Sequence, residues 1–251
     1  MDAMFGGGIG GDGAMGQVPL EQWFFEMPVV TRWWTTAIVA TGLAVQCHML
    51  SPFQLFYTYR AVFVKSQYWR LLSTFVYFGP LSIQLVFHIF FIQRYARMLE
   101  ESAPSAAHFS WMMAFAMTTL LCLAPLFDQG FLGTTLSSTL TYVWSRKHPD
   151  AMLTFLGIFT FRAPWLPFVM IGLSVVLHEH WPWDEFFGIA VGHVWYFFNE
   201  IYPSMSGGSR PLDPPRWWRR LFDGNFFSAG QDTPPPAMNR ELAAGLAPEV
   251  R

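Results

Sequence analysis

The sequence is poor in charge. Only 13% of its 251 residues are Asp, Glu, Lys or Arg, about half the share of a typical soluble domain. The net charge of −2 gives no basic surface, which argues against a nucleic-acid-binding protein. The two cysteines are too few for a disulfide framework or a metal cluster, and we expect neither a metal nor a cofactor. The low charge instead favours a protein that lies largely in lipid.

The sequence is rich in long runs of apolar residues. A membrane-spanning helix needs about 20 predominantly apolar residues. Gly79-Pro80 predicts a break inside the second of six such runs, and the fourth and sixth runs are short, which a bundle tolerates. We predict an all-α membrane protein with a bundle of six transmembrane helices. The runs are 33–50, 71–93, 109–127, 130–144, 163–177 and 186–198.

The placement of Lys and Arg predicts the orientation, because cytosolic loops hold an excess of both. With a cytosolic N-terminus, six spans put twelve of the 15 Lys and Arg residues on the cytosolic side. The remaining three, Arg60, Lys65 and Arg70, lie on the lumenal side. We therefore predict that both termini face the cytosol.

The composition divides the chain into three parts. Residues 1–17 are Gly-rich and predict a flexible N-terminus, residues 18–203 form the membrane domain, and residues 204–251 predict a largely disordered cytosolic tail. Residues 51–70 mix aromatic and basic side chains, which suits a segment in the membrane interface. We expect a further short amphipathic helix before Pro28.

The fourth run, GFLGTTLSSTLTYVW, is rich in small hydroxyl side chains. A polar group at membrane depth is costly and is therefore a functional candidate. We predict that these groups line an internal cavity with His193 of the sixth run opposite them; alternatively, His193 bonds across helices and only stabilises the bundle. The hydroxyl residues are Thr134, Thr135, Ser137, Ser138, Thr139 and Thr141.

An intramembrane protease is the first alternative to exclude. A rhomboid protease pairs a histidine on its sixth helix with the serine of a Gly-x-Ser-Gly motif on its fourth. No Gly-x-Ser-Gly occurs in this chain, since neither Ser137 nor Ser138 is followed by glycine. A base without a placed nucleophile gives no covalent catalysis. We expect no catalytic residue and no enzyme activity.

Two further motifs predict structural roles. Gly188 and Gly192 form a Gly-x-x-x-Gly on one helix face, which lets two helix backbones approach closely. Trp69-Arg70 lies where the interfacial segment enters the second run. We expect Arg70 to bind backbone carbonyls of that segment and Trp69 to anchor it at the lipid interface.

Several strings in the membrane domain resemble the derlins, rhomboid-fold pseudoproteases of the endoplasmic reticulum (ER). Each string is weakly specific, but their order and spacing from about Trp23 to Tyr202 are specific. The Trp-Arg motif of that family matches Trp69-Arg70, and its Gly-x-x-x-Gly matches Gly188 and Gly192. The strings are SPFQLFYTYR, QYWRLLSTFVYFGPLS, RYARMLEE, TYVWSRKHPD, FRAPWLPFV and GIAVGHVWYFF.

The resemblance implies the rhomboid-like six-helix fold and a location in the ER membrane. It also implies a role in ER-associated degradation, in which the protein engages misfolded clients and helps them reach the cytosol. The implied partners are a membrane ubiquitin-ligase complex, a cytosolic AAA ATPase, misfolded proteins and lipid. Many derlins dock the ATPase through a terminal box, roughly Phe-x-Gly-x-Gly-x-x-Leu, to which Phe226–Gly230 is a poor match.

Three other functions remain in competition with this one at the level of sequence. An intramembrane protease lacks its serine, as argued above. A solute transporter would need charged residues deep in its spans, and the six runs hold almost none. A passive scaffold of the ligase complex would use the same packing surfaces as a conduit, so the sequence leaves that alternative open.

Overall fold

The computed structural model describes residues 26–127, 129–155, 159–178, 181–207 and 210–223. The predicted flexible segment 1–17, the greater part of the helix expected before Pro28, and the tail beyond residue 223 lie outside these residues. The described part of the chain is mostly helical and has one two-stranded hairpin. In chain order the elements are α1 (Val29–Gln46), α2 (Pro52–Leu55), α3 (Arg70–Ser73), α4 (Ile83–Glu101), α5 (Ala106–Phe127), α6 (Gly133–Lys147), β1 (Met152–Phe155), β2 (Phe159–Arg162), α7 (Leu166–His178), α8 (Trp183–Tyr196), α9 (Tyr202–Met205) and α10 (Arg216–Asp223).

Each of the six predicted runs overlaps one long helix; in order these are α1, α4, α5, α6, α7 and α8. Helix α8 continues directly through a π-helical segment, Phe197–Ile201, into α9. The second helix begins at residue 83 rather than 71, because the chain turns at Gly79, whose φ is +107°, and at Pro80. The Ser82 hydroxyl then caps α4 by accepting a hydrogen bond from the Leu85 amide at 3.3 Å. The predicted break is therefore confirmed, and the turn of helix before it, α3, is separate from α4.

Helix α5 is both long and apolar. Within the described residues it is the one helix with the length and composition to cross a membrane alone, over Ala106–Leu126 with a mean hydropathy of 1.6. A shorter apolar helix runs from Ala163 to Val176. The all-helical class of the bundle is confirmed except for the hairpin, whereas the count of six membrane crossings stays a prediction.

Helix α6 lies at the centre of the bundle. It packs against α4, α5, α7 and α8, and eleven of its 15 residues are buried. Leu136, Leu140 and Val143 are among its fully enclosed apolar side chains, and its hydroxyl residues fill the narrow contacts. A helix of low hydropathy is thus the core of the molecule because its side chains are small enough for its neighbours to approach closely.

The start of α1 is fixed by a carboxylate from the end of α4. Glu100 is 7% exposed, and it accepts bonds from the Val30 amide at 3.0 Å, the Thr31 amide at 2.8 Å and the Thr31 hydroxyl at 2.7 Å. Two adjacent glutamates are typical of a solvated helix end, but Glu100 is enclosed by the start of α1. Burial raises the pKa of Glu100, while the bonds from Thr31 and Val30 and the nearby charge of Arg32 act against that rise. Glu101 is exposed and pairs with Arg97 at 2.7 Å.

We expect Glu100→Ala to destabilise the protein by about 2 kcal/mol, because two amides and a hydroxyl would lose their acceptor at a helix N-terminus. The midpoint of thermal unfolding in detergent measures this effect. Glu101→Ala is the matched control and should change stability by less than about 0.5 kcal/mol, since it removes only an exposed ion pair. Equal effects of the two substitutions would show that the Glu100 cap does not hold α1.

Candidate functional site

A small polar cavity lies between α4, α6, α7 and α8. Its volume is about 20 Å³, enough for one water molecule. Four hydroxyl groups, a histidine and a carboxyl line it together with three apolar side chains, so it presents both donors and acceptors inside the bundle. The lining residues are His88, Thr134, Ser137, Ser138, Thr141, Pro167, Met170, Glu185 and Ile189.

Helical periodicity divides the predicted set of hydroxyl residues. Thr134, Ser137, Ser138 and Thr141 share one face of α6, because they follow the i, i+3, i+4, i+7 spacing, and this face lines the cavity. Thr135 and Thr139 do not line it. They lie on the neighbouring face of α6, where α8 packs. The prediction of one cavity-lining set therefore does not describe these two threonines.

The α6–α8 contact is a close approach of two backbones at the two glycines. A Cβ placed on Gly188 would collide with the Thr135 carbonyl oxygen and stand 2.8 Å from the Ser138 Cβ. A Cβ on Gly192 would stand 3.0 Å from the Thr139 carbonyl oxygen. The Thr139 hydroxyl is 2.9 Å from the Gly188 carbonyl oxygen, to which it donates across the interface. The Gly-x-x-x-Gly thus seats α8 on α6, and the Thr135 hydroxyl is buried there with no partner among the described residues.

His193 is located elsewhere than opposite the cavity. Its Nδ1 lies 2.7 Å from the Tyr142 hydroxyl, and the Arg146 Nε donates to that same hydroxyl at 3.1 Å. Because Arg146 donates to the Tyr142 oxygen, the hydroxyl hydrogen remains available for His193 Nδ1. His193 is exposed rather than enclosed in the bundle. His193 therefore forms a bond between α8 and α6, as in the alternative interpretation from the sequence, whereas Ser137 and Ser138 lie at the cavity.

Glu185 is a site residue that the sequence analysis missed. It is 5% exposed, in the first turn of α8, and it accepts a short hydrogen bond from the Ser174 hydroxyl of α7. A signal was present in the sequence, because Glu185 precedes Gly188 and Gly192 by three and seven residues and so shares their face. In the sequence Glu185 resembles a loop charge because it follows the polar segment before α8.

Arg70, the first residue of α3, holds the preceding segment, residues 51–69, by side-chain hydrogen bonds. Its Nη1 donates to the Phe53 carbonyl at 2.7 Å and to the Phe56 carbonyl at 2.5 Å, and its Nε donates to Gln67 Oε1 at 2.6 Å. Trp69 beside it is 59% exposed. Lys would provide one point charge where Arg spreads its donors in a fixed fork. The segment is in turn joined to the loop before α6 by a 2.8 Å bond from the Tyr57 amide to the Gly130 carbonyl.

These features define a class of protein: a helical bundle with an internal polar cavity, two helices in close contact at glycines, and a segment before α3 that an arginine holds by hydrogen bonds. The profile of the Der1-like family matches residues 27–216, and the chain belongs to this family.

The chain is similar to several named derlins. Derlin-2.1 of Zea mays is 34% identical over 250 residues, which cover 92% of this chain and 98% of that protein. Derlin-2 of Oryza sativa subsp. japonica is 34% identical over 90% of this chain and 93% of its own. Derlin-2.1 of Arabidopsis thaliana is 34% identical over 81% and 88%. The resemblance to the derlins is confirmed.

Proposed function

We propose that this protein engages misfolded proteins at the ER membrane and assists their passage to the cytosol, without cutting them. The observation that carries the proposal is membership of the Der1-like family over residues 27–216, supported by 34% identity to Derlin-2 proteins over most of the chain. A role in ER-associated degradation follows from that family. The direction of transport and the lack of cleavage are the further steps of this proposal.

The arrangement of the α6 and α8 side chains supports the non-proteolytic part. The chain has no Gly-x-Ser-Gly. His193, the histidine of the sixth run, is bonded to Tyr142 at 2.7 Å. General-base activation of a serine requires a hydrogen bond of about 2.6–3.2 Å from the base to the hydroxyl. In this proposal the serines of α6 act as hydrogen-bonding groups.

The proposed membrane placement has six spans and both termini in the cytosol. The segments predicted to be cytosolic meet at one end of the bundle, which supports this placement. A cavity of about 200 Å³ there is lined by residues from the α4–α5 turn, the end of α6, the end of α8 and the tail, among them Leu99, His108, Lys147, Glu200 and Leu212. The start of α1 reaches the same end, where Glu100 holds it.

In the proposed mechanism, short polar helices lower the cost of moving a polypeptide through lipid. Helix α6 has 15 residues and its neighbour α7 has 13, so each is about 20–23 Å long, less than the roughly 30 Å of a hydrocarbon core. The bilayer must thin or the helices' polar ends must enter it. Each unsatisfied backbone group in hydrocarbon costs several kcal/mol. The hydroxyl groups at the cavity and Glu185 then offer partners to a client at this depth.

We predict that the bilayer is thinner beside α7, which has 13 residues, than beside α5, which has 22. The two headgroup layers around the protein in a lipid nanodisc, imaged by electron cryo-microscopy, measure this directly. The expected difference is several ångströms, up to about 10 Å if the lipid matches α7 fully. A bilayer of uniform thickness around the whole protein would contradict the mechanism.

The energy for extraction must come from a partner, since no nucleotide-binding loop is present in the sequence. We propose a membrane ubiquitin-ligase complex as the assembly in which the chain acts and a cytosolic AAA ATPase as the motor. The poor match of Phe226–Gly230 to the ATPase-docking box favours recruitment of the ATPase by the ligase complex. The Phe226–Gly230 segment lies outside the described residues.

The test is the turnover of a misfolded membrane protein in cells that lack their own derlins. Synthesis is blocked, and the client is followed over time with and without this chain. We expect this chain to restore degradation, and variants that open the α6–α8 contact, such as Gly192→Leu, to fail. A client that stays stable in cells where the chain is expressed and reaches the ER would overturn the proposed function.

A further inference from the structure

The cytosolic tail contains a short helix that docks on the bundle. Helix α10 lies against the first turns of α5. The indole of Trp218 donates to the Ser110 hydroxyl at 3.1 Å, and the indole of Trp111 donates to the Leu212 carbonyl at 3.0 Å. The rings of Trp111 and Trp218 meet edge to face at 5.3 Å. This segment of the tail is therefore held at a defined place on the bundle.

The outer face of α10 is half apolar and half basic. Trp217 and Leu221 are 62% and 58% exposed, and they adjoin the buried face of the helix. Arg216 and Arg220 are exposed beside them. On a helix these four residues follow the i, i+1, i+4, i+5 spacing and share one side. Aromatic and aliphatic groups next to a pair of arginines are the composition of a helix that lies in a membrane surface.

The docking site places this face at the level of the headgroups. Ser110 and Trp111 are four and five residues from the start of α5, or about 6–8 Å along its axis. Helix α5 is about 33 Å long, close to the 30 Å of the hydrocarbon core. A helix that packs on its first turns lies at the boundary between lipid tails and headgroups.

We propose that the α10 face formed by Arg216, Trp217, Arg220 and Leu221 binds the anionic lipid of the cytosolic leaflet. The apolar pair enters the acyl boundary and the arginines contact lipid phosphates. Arg219 is directed elsewhere and pairs with Asp213 at 3.4 Å. This inference rests on the proposed membrane placement, in which the α10 end of the bundle is cytosolic.

The experiment uses the full chain with one dye-labelled cysteine, reconstituted in vesicles of phosphatidylcholine with or without phosphatidylserine. Leu221→Cys, in a Cys47→Ala, Cys122→Ala background, carries an environment-sensitive dye on the proposed face, and Trp217→Cys provides a second position. We expect the dye to move from water into lipid when phosphatidylserine is present. Each arginine should raise the ratio of lipid-bound to free helix about fivefold.

Two charge-reversal variants make the test specific. Arg216→Glu with Arg220→Glu should abolish the gain from phosphatidylserine. Arg210→Glu, a single charge reversal at an exposed site ahead of α10, should leave most of the gain from phosphatidylserine. A dye shift of equal size in neutral vesicles, or one that appears only after cytosolic protein is added, would overturn the inference in favour of apolar insertion or a protein partner.

A dye on the native Cys122, which is exposed on α5, separates this inference from the membrane placement. A Cys122 dye in hydrocarbon and a Leu221 dye in water would overturn the α10 inference alone. A Cys122 dye in water would overturn the placement of α5 in the membrane, and with it both proposals.

Discussion

Replacing Gly188 with alanine is expected to separate α8 from α6. The new methyl group would collide with the Thr135 carbonyl oxygen and the Ser138 Cβ, and both are parts of the central helix that cannot rotate away. The bond from Thr139 to the Gly188 carbonyl would be strained as well. Overpacking of this kind costs about 1–3 kcal/mol, and we expect the upper end because the collision is with backbone. Thermal unfolding in detergent, together with cross-linking between α6 and α8, measures both effects.

Two other glycines in long helices give matched controls. At Gly192 the nearest backbone atom would be 3.0 Å from the added Cβ, so Gly192→Ala should cost less than Gly188→Ala. At Gly172 in α7 no atom lies within 4 Å of the Cβ position. Gly172→Ala should therefore be neutral or up to about 1 kcal/mol stabilising, since alanine favours the helix. If Gly188→Ala unfolds like Gly172→Ala, the close α6–α8 contact is not a determinant of the fold.

Replacing Arg70 with lysine is expected to release the interfacial segment 51–69 while leaving the bundle folded. Lysine keeps the charge but cannot span the Phe53 and Phe56 carbonyls and Gln67 Oε1 together. The loss of about 1–2 kcal/mol of local stability should accelerate amide hydrogen exchange in the segment about tenfold. Client turnover should slow in parallel.

The matched control is Arg60→Lys, the same substitution at an exposed arginine in the same segment. It should leave amide exchange and client turnover unchanged. Faster exchange in both variants would mean that the segment responds to any change of its basic side chains, and that Arg70 has no special role in fastening it.

The sequence predicted those parts of the fold that depend on local chemistry. Gly79-Pro80 marked the break before α4, because a proline and a left-handed glycine interrupt a helix wherever they occur. The close helix contact at Gly188 and Gly192 was also predicted, because glycine lets two helix backbones approach each other. The hairpin over 152–162 was not predicted, since it lies between two apolar runs and pairs only four residues on each strand.

The site depended on which helix face meets which neighbour, and the sequence alone does not determine this. Ser138 and Thr139 are adjacent in the chain, yet the serine lines the cavity and the threonine bonds α8. The burial of Glu100 likewise depends on the start of α1, almost 70 residues away in sequence. The composition of α6 indicated a polar interior, but it could not show which hydroxyl residues line the cavity and which contact α8.

The most direct measurement of the central claim follows a misfolded lumenal client in derlin-deficient cells while the proteasome is blocked. The account predicts that this chain makes the client accumulate in the cytosol at full length, that Gly172→Ala does the same, and that Gly188→Ala and Arg70→Lys leave the client in the ER. A client cut within the membrane would contradict the account, because it would require a nucleophile in this bundle. A client that stays in the ER despite a folded, ER-located chain would contradict the role in transport.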